Sequence, residues 1–96
     1  MASTYRVLLS TKAIAKLTKL FLKYHGSGLA AQFTDLEHSC HHFLENQADS
    51  GDTESNSQYR FVTFRCIYPG NVLILLKVIY DFDGKEVKVL SYEDVP

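Results

Sequence analysis

The stretch VLILLKVIYDF (residues 72–82), followed by Asp83-Gly84 and then KEVKVL (residues 85–90), decides the fold. Its first segment is almost unbroken in apolar, β-branched and aromatic residues. That pattern predicts a central strand covered on both faces. Asp83-Gly84 is a two-residue hairpin signal. The six residues after it alternate charged and apolar, which suits a half-exposed outer strand. Tyr92 to Pro96 reads as a short tail. Upstream, Gln58 to Tyr68 is again β-branched and aromatic, and Tyr68-Pro69-Gly70-Asn71 is a turn. Residues 58–90 therefore read as an antiparallel meander.

The N-terminal half has a different period. Thr4 to Leu9 alternates as a strand, and Ser10 is a helix N-cap. A first helix is expected from Thr11 to Tyr24, stopped by Gly26 as its left-handed residue. A second runs from Leu29 to Gln47, with Leu29, Phe33, Leu36, Cys40, Phe43 and Leu44 as its core stripe. Residues 48–57 (ADSGDTESNS) read as an exposed acidic loop, solvated or open to phosphorylation at Ser50, Thr53, Ser55 or Ser57. The order is β-α-α-β-β-β. The expected fold is α+β, one domain over residues 1–96, with a helical hairpin packed on a curved antiparallel sheet.

Charge is sharply segregated along this chain of 96 residues and formal charge −1. Residues 1–34 hold Arg6, Lys12, Lys16, Lys19 and Lys23 and no acid. Residues 35–54 hold Asp35, Glu37, Glu45, Asp49, Asp52 and Glu54 and no Lys or Arg. At about 100° per residue the four lysines form one narrow stripe on the first helix, with Ile14, Leu17, Phe21 and Tyr24 roughly opposite. A soluble helix often mixes signs four residues apart. A stripe without interleaved acid suits an anionic partner, whether phosphates, an acidic protein or the acidic loop of the same molecule.

The overall charge argues against indiscriminate coating of nucleic acid. Two cysteines, Cys40 and Cys66, do not make a disulfide scaffold and read as reduced, buried thiols. No run approaches the roughly 20 apolar residues of a membrane span, and MASTYRVLLS lacks a signal-peptide core. A soluble, cytoplasmic protein is expected, with no membrane partner. Asp35, His38 and His42 share one side of the second helix. His38 and His42 are spaced to chelate, but without the HExxH arrangement a metal-free surface cluster is the expectation. No glycine-rich phosphate loop is present, and no cofactor is expected.

Two segments carry a resemblance: Tyr5-Arg6-Val7-Leu8-Leu9-Ser10-Thr11-Lys12-Ala13 at the start, and residues 78–90, VIYDFDGKEVKVL, at the end. In these, in length and in element order, the chain resembles the RelE/ParE superfamily of small bacterial toxins. RelE-like members cut messenger RNA on the ribosome, and ParE-like members inhibit DNA gyrase. The resemblance implies a ribosome-dependent endoribonuclease with Arg60, Lys77 and Tyr92 as catalytic residues and Arg65 as a further cation. It also implies a cognate antitoxin-like protein as partner, with ribosome or RNA as target. The chain departs from the ribonuclease pattern in being slightly acidic and in its longer acidic loop.

Cleavage of RNA needs a group to activate the 2′-hydroxyl and a cation at the phosphorane. Arg60 and Arg65 are five apart, so a regular strand points them to opposite faces. Arg60 and Lys77 share a face only in a suitable register. The rival expectation is a non-enzymatic interaction module, or a degenerate relative. It would bind through the sheet edge or through Lys12, Lys16, Lys19 and Lys23, with a homodimer as one arrangement.

Overall fold

In the computed structural model, which describes residues 4–53, 59–68 and 72–94, the elements are β1 (Arg6–Leu9), α1 (Thr11–Gly26), α2 (Ala30–Gln47), a 3-10 turn (Ala48–Ser50), β2 (Asp52–Thr53), β3 (Arg60–Tyr68), β4 (Val72–Phe82) and β5 (Glu86–Asp94). The strands form one sheet in the order β1-β5-β4-β3-β2. The last three strands are the expected antiparallel meander. β1 joins it parallel to β5, with Val7 beside Val87 and Leu9 beside Val89, so the sheet is mixed. The α+β class stands, with both helices on one face.

The start and stop of α1 have local causes. The Ser10 Oγ accepts from the Ala13 N–H at 3.0 Å, an N-cap that satisfies one orphan donor. The helix ends differently from expectation. Gly26 is its last residue, and the left-handed position is Gly28, at φ 77°. Leu29 N–H donates back to the Tyr24 carbonyl at 2.8 Å, closing the end of α1 and turning the chain into α2.

The core lies between sheet and hairpin. Phe33, Leu36, Cys40 and Leu44 are buried on α2, as the stripe predicts. On α1 the buried residues are Ala13, Leu20 and Tyr24, while Ile14 and Phe21 are exposed. The helix is thus turned about one residue from the expected face. The sequence offers apolar residues at both 13/14 and 20/21, so two faces compete. The small Ala13 at the start lets the helix seat closely on the sheet.

β4 matches its expected bounds but is covered by helices on one face only. Leu76, Val78 and Tyr80 are buried, while Leu75, Lys77 and Ile79 are half-buried on the other side. β5 is longer than expected and is not an outer strand. It lies between β4 and β1 and absorbs most of the supposed tail. Its hairpin turn is centred on Gly84-Lys85 rather than Asp83-Gly84. Gly84 has φ 97°, and the Asp83 carboxylate accepts from the N–H groups of Lys85 (2.9 Å) and Glu86 (2.8 Å).

Residues 48–53, expected within the loop, form the 3-10 turn and β2, with Ala48 buried and Asp49 and Asp52 exposed. The rest of that loop, with Ser55 and Ser57, lies outside the described residues, as does the turn at Pro69-Gly70-Asn71.

Candidate functional site

The register separates the residues expected to act together. Arg60 stands opposite Tyr80, on the helix-covered face at the sheet margin. Its guanidinium donates to the carbonyls of Asp49 and Gly51, both at 3.1 Å. It ties β3 to the turn after α2. Lys77 stands opposite Thr63 and Glu93 on the open face of the sheet. Its ammonium lies 4.7 Å from the Phe61 ring centre, a cation–π contact. Arg60 and Lys77 therefore do not share a face, contrary to the arrangement a joint site requires. Arg65, opposite Leu75, is exposed on the open face, five residues and one face removed from Arg60 as the spacing predicts.

Tyr92 is the clearest departure. Val87 and Val89 face the helices, so unbroken alternation would turn Tyr92 to the open side. A bulge intervenes: Tyr80 pairs with Val89 but Ile79 pairs with Ser91, leaving Leu90 as the extra residue. The parity flips. Tyr92 then stands opposite Val78 in the core, 1% exposed. Burial, with the Cys40 and Glu37 charges adding to it, pushes its phenol far above the usual range. It is a packed core tyrosine whose burial favours the protonated phenol.

The same flip brings Asp94 to the helices. Its carboxylate accepts from the Tyr24 hydroxyl at 2.6 Å and pairs with the Lys23 ammonium. Burial opposes ionisation of Asp94, but these two hydrogen bonds and the Lys23 charge outweigh it and hold the carboxyl below its ordinary value. Lys23 is thus engaged within the molecule, contrary to its expected place in a free stripe. No sequence spacing signals this pair, because it joins residues 71 apart through a bulge.

Lys12, Lys16 and Lys19 are exposed, and among the described residues no acidic group pairs with them. Their ridge does not lie opposite the core side of α1. It flanks that side, and Lys16 and Lys19 border a hollow with Leu20, Tyr92, Glu93 and Asp94. Leu22 (63%) lies between the two flanks. The exposed large apolar residues on the other flank are Ile14 (51%) and Phe21 (41%), beside the exposed Thr18 and His25, whose ring stacks on Phe21 at 5.8 Å. There Leu17, Thr18 and Phe21 of α1 and Phe33, Thr34 and Glu37 of α2 line an open groove of about 360 Å³. Exposed apolar residues of this size beside a groove mark contact surfaces. Sequence reading missed them because it placed Ile14 and Phe21 in the core.

On α2, His38 and His42 are exposed, and His41 lies 3.5 Å from the Glu45 carboxylate. Among the described residues, no group of three or more His, Cys, Asp or Glu side chains is arranged to hold a metal ion. Cys40 is a free, buried thiol whose pKa burial raises far above the ordinary value, with the Glu37 charge contributing. No described helix is long and apolar enough to cross a membrane. The chain matches no protein-family model, no curated protein and no solved structure.

Proposed function

We propose that this chain is a non-enzymatic interaction module whose α1 face receives an acidic, amphipathic partner helix. The observation that carries this reading is the side-by-side exposure of Leu22, Ile14 and Phe21 with Lys12, Lys16 and Lys19 on one helix. Burying the apolar residues supplies affinity of about 25 cal/mol per Å² removed from water. The ammonium groups supply steering and choice of partner. A helix suits such a surface because its backbone hydrogen bonds are already made. RNA would use the lysines but gain little from an exposed Leu22.

The ribonuclease expected from the RelE/ParE resemblance draws no support from the site. Its three residues are spread over a sheet margin, the open face and the core. Two experiments separate the readings. An RNA cleavage assay on ribosomes should show no cut attributable to the chain, and its expression should not arrest bacterial growth. Calorimetric titration with a capped, Glu- and Leu-rich amphipathic peptide should show binding that Leu22→Asp or Lys19→Glu abolishes. Growth arrest relieved by Arg60→Ala, with the fold intact, would contradict the module and restore the enzyme.

A further inference from the structure

We propose that the outer surface of the helical layer is self-complementary and that the helix it receives is α2 of a second copy of this chain. This rests on the interaction reading, with the polar, acidic outer side of α2 as the partner surface, since its apolar stripe is already buried in its own core. Ala13, Leu20 and Tyr24 point α1 inward. At 100° per residue the opposite direction carries Ala15 and Leu22, with Lys12 and Lys19 on one side and Ile14 and Phe21 on the other. Phe33, Leu36, Cys40 and Leu44 point α2 inward. Its outer crown is then Ala31, Asp35, His38 and His42, with Glu45 beside them. Every one of these crown residues is exposed, and Glu45 is half-exposed.

Charge selects the pairing. α1 has no acid, and α2 has no Lys or Arg. Two such layers can meet about a two-fold axis in the plane between them. An axis across the helices lays α1 on α1, lysine against lysine. An axis along the hairpin lays each α1 on α2 of the other copy, cation against anion. The second arrangement runs α1 antiparallel to the facing α2. At 1.5 Å per residue Lys12 then comes opposite the Glu45 end, and Lys19 opposite the Asp35–His38 turn. Ala15 and Ala31 at the crowns allow close approach. Leu22 and Phe21 gain cover over the groove between the helices.

Helices of 16 and 18 residues side by side present a face of roughly 25 by 20 Å, about 500 Å² before side-chain relief is counted. That is short of the roughly 800 Å² per partner of a standard interface and places the contact in the weak, concentration-dependent class. Both copies contribute the same surface, so the contact closes on itself as a dimer.

Sedimentation equilibrium of the full chain over a concentration series tests this. The mass should move to twice that of one chain. High salt should weaken the association, because the lysines and carboxylates at the rim are screened. The double variant Lys12→Glu/Lys19→Glu and the double variant Asp35→Lys/Glu45→Lys should each weaken it by about tenfold or more. An equimolar mixture of the two should recover a dimer, because each contact then pairs opposite charges. All four positions lie on the outer side of their helices, and circular dichroism of each variant checks that the helices persist. A monomer mass throughout, a dimer indifferent to both reversals, or a mixture that fails to recover would each overturn the inference. If the chain is monomeric but the acidic peptide still binds α1, only the second-copy assignment falls. If neither occurs, the interaction reading falls with it.

Discussion

The Tyr24 hydroxyl donates to the Asp94 carboxylate at 2.6 Å, joining the end of α1 to the end of β5. One extra residue, Leu90, makes this contact, since it turns Asp94 to the helix-covered face. The lysine that shares the carboxylate, Lys23, is thereby withdrawn from the ridge that Lys12, Lys16 and Lys19 present to solvent. Replacing Asp94 by Asn should lower stability by about 1 kcal/mol, because the pair with Lys23 is largely exposed and screened while the Tyr24 bond is partly sheltered. Urea denaturation measures it. The native Asp94 carboxyl is held below its ordinary value. Its contribution is therefore present above that value and is lost as pH falls through the native one. Acid denaturation of wild type should show this loss, and Asp94→Asn should flatten it.

A second close contact fixes the turn after α2. The Tyr80 hydroxyl donates to the Ala48 carbonyl at 2.5 Å, and a Cβ at Gly51 would collide with that same hydroxyl. Gly51→Ala should cost about 1–3 kcal/mol, the usual range for overpacking. Tyr80→Phe should cost about 1 kcal/mol, since the Ala48 carbonyl loses its donor. In the double variant the added methyl meets less of the ring's polar end. The combined cost should then fall short of the two single costs added together, as a double-mutant cycle in urea would reveal.

Alkaline pH should erode the fold in a definite window. Burial is the main cause pushing the Tyr80 phenol up to about 12, against a lowering influence from Arg60. Tyr92 and the Cys40 thiol are also raised, again mainly by burial. Each of these acids holds its proton more tightly in the folded state. The stability they confer is intact below the unfolded values and declines as pH rises through about 9 for the thiol and about 10 for the phenols. For Tyr80 the decline extends to about 12. Melting temperatures taken at rising pH should drop across this range, and Tyr80→Phe should remove part of the drop.

The helix start offers a fourth check. Ser10→Ala removes the acceptor for the Ala13 N–H, and with it the hydroxyl's bond to the Leu90 carbonyl at 3.2 Å. A loss of about 1 kcal/mol is expected from the cap. Thermal unfolding followed at 222 nm would register it. No loss would mean that the α1 start is held by packing alone.

The sheet was legible because its signals are local. Residues 72–82 form a strand on hydrophobicity alone, and Asp83-Gly84 marks the turn to within one residue. The helices were legible for the same reason, with Ser10 and the α2 stripe read correctly. What escaped was set by long-range packing. The rotation of α1 depends on whether Ala13 or Ile14 meets the sheet, and both are apolar. Leu90 as a bulge has no signature of its own, yet it decides that Tyr92 is core rather than surface. The antiparallel pairing of β3 and β4 has a register that puts Lys77 and Arg60 on opposite faces, and that register is fixed by which residues of both strands enter the core. The lysine ridge was read from spacing, but its neighbours Ile14, Phe21 and Leu22 became visible as a surface only once the helix was seated.

The most direct test of the interaction account is a backbone amide map. Uniformly labelled protein is titrated with the Glu- and Leu-rich peptide, and in parallel with a single-stranded RNA oligonucleotide. The account predicts that the peptide moves the amide signals of Lys12 to Leu22 while the RNA leaves them in place. Shifts caused by the RNA and centred on Arg60, Arg65 and Lys77, with α1 silent to the peptide, would contradict it.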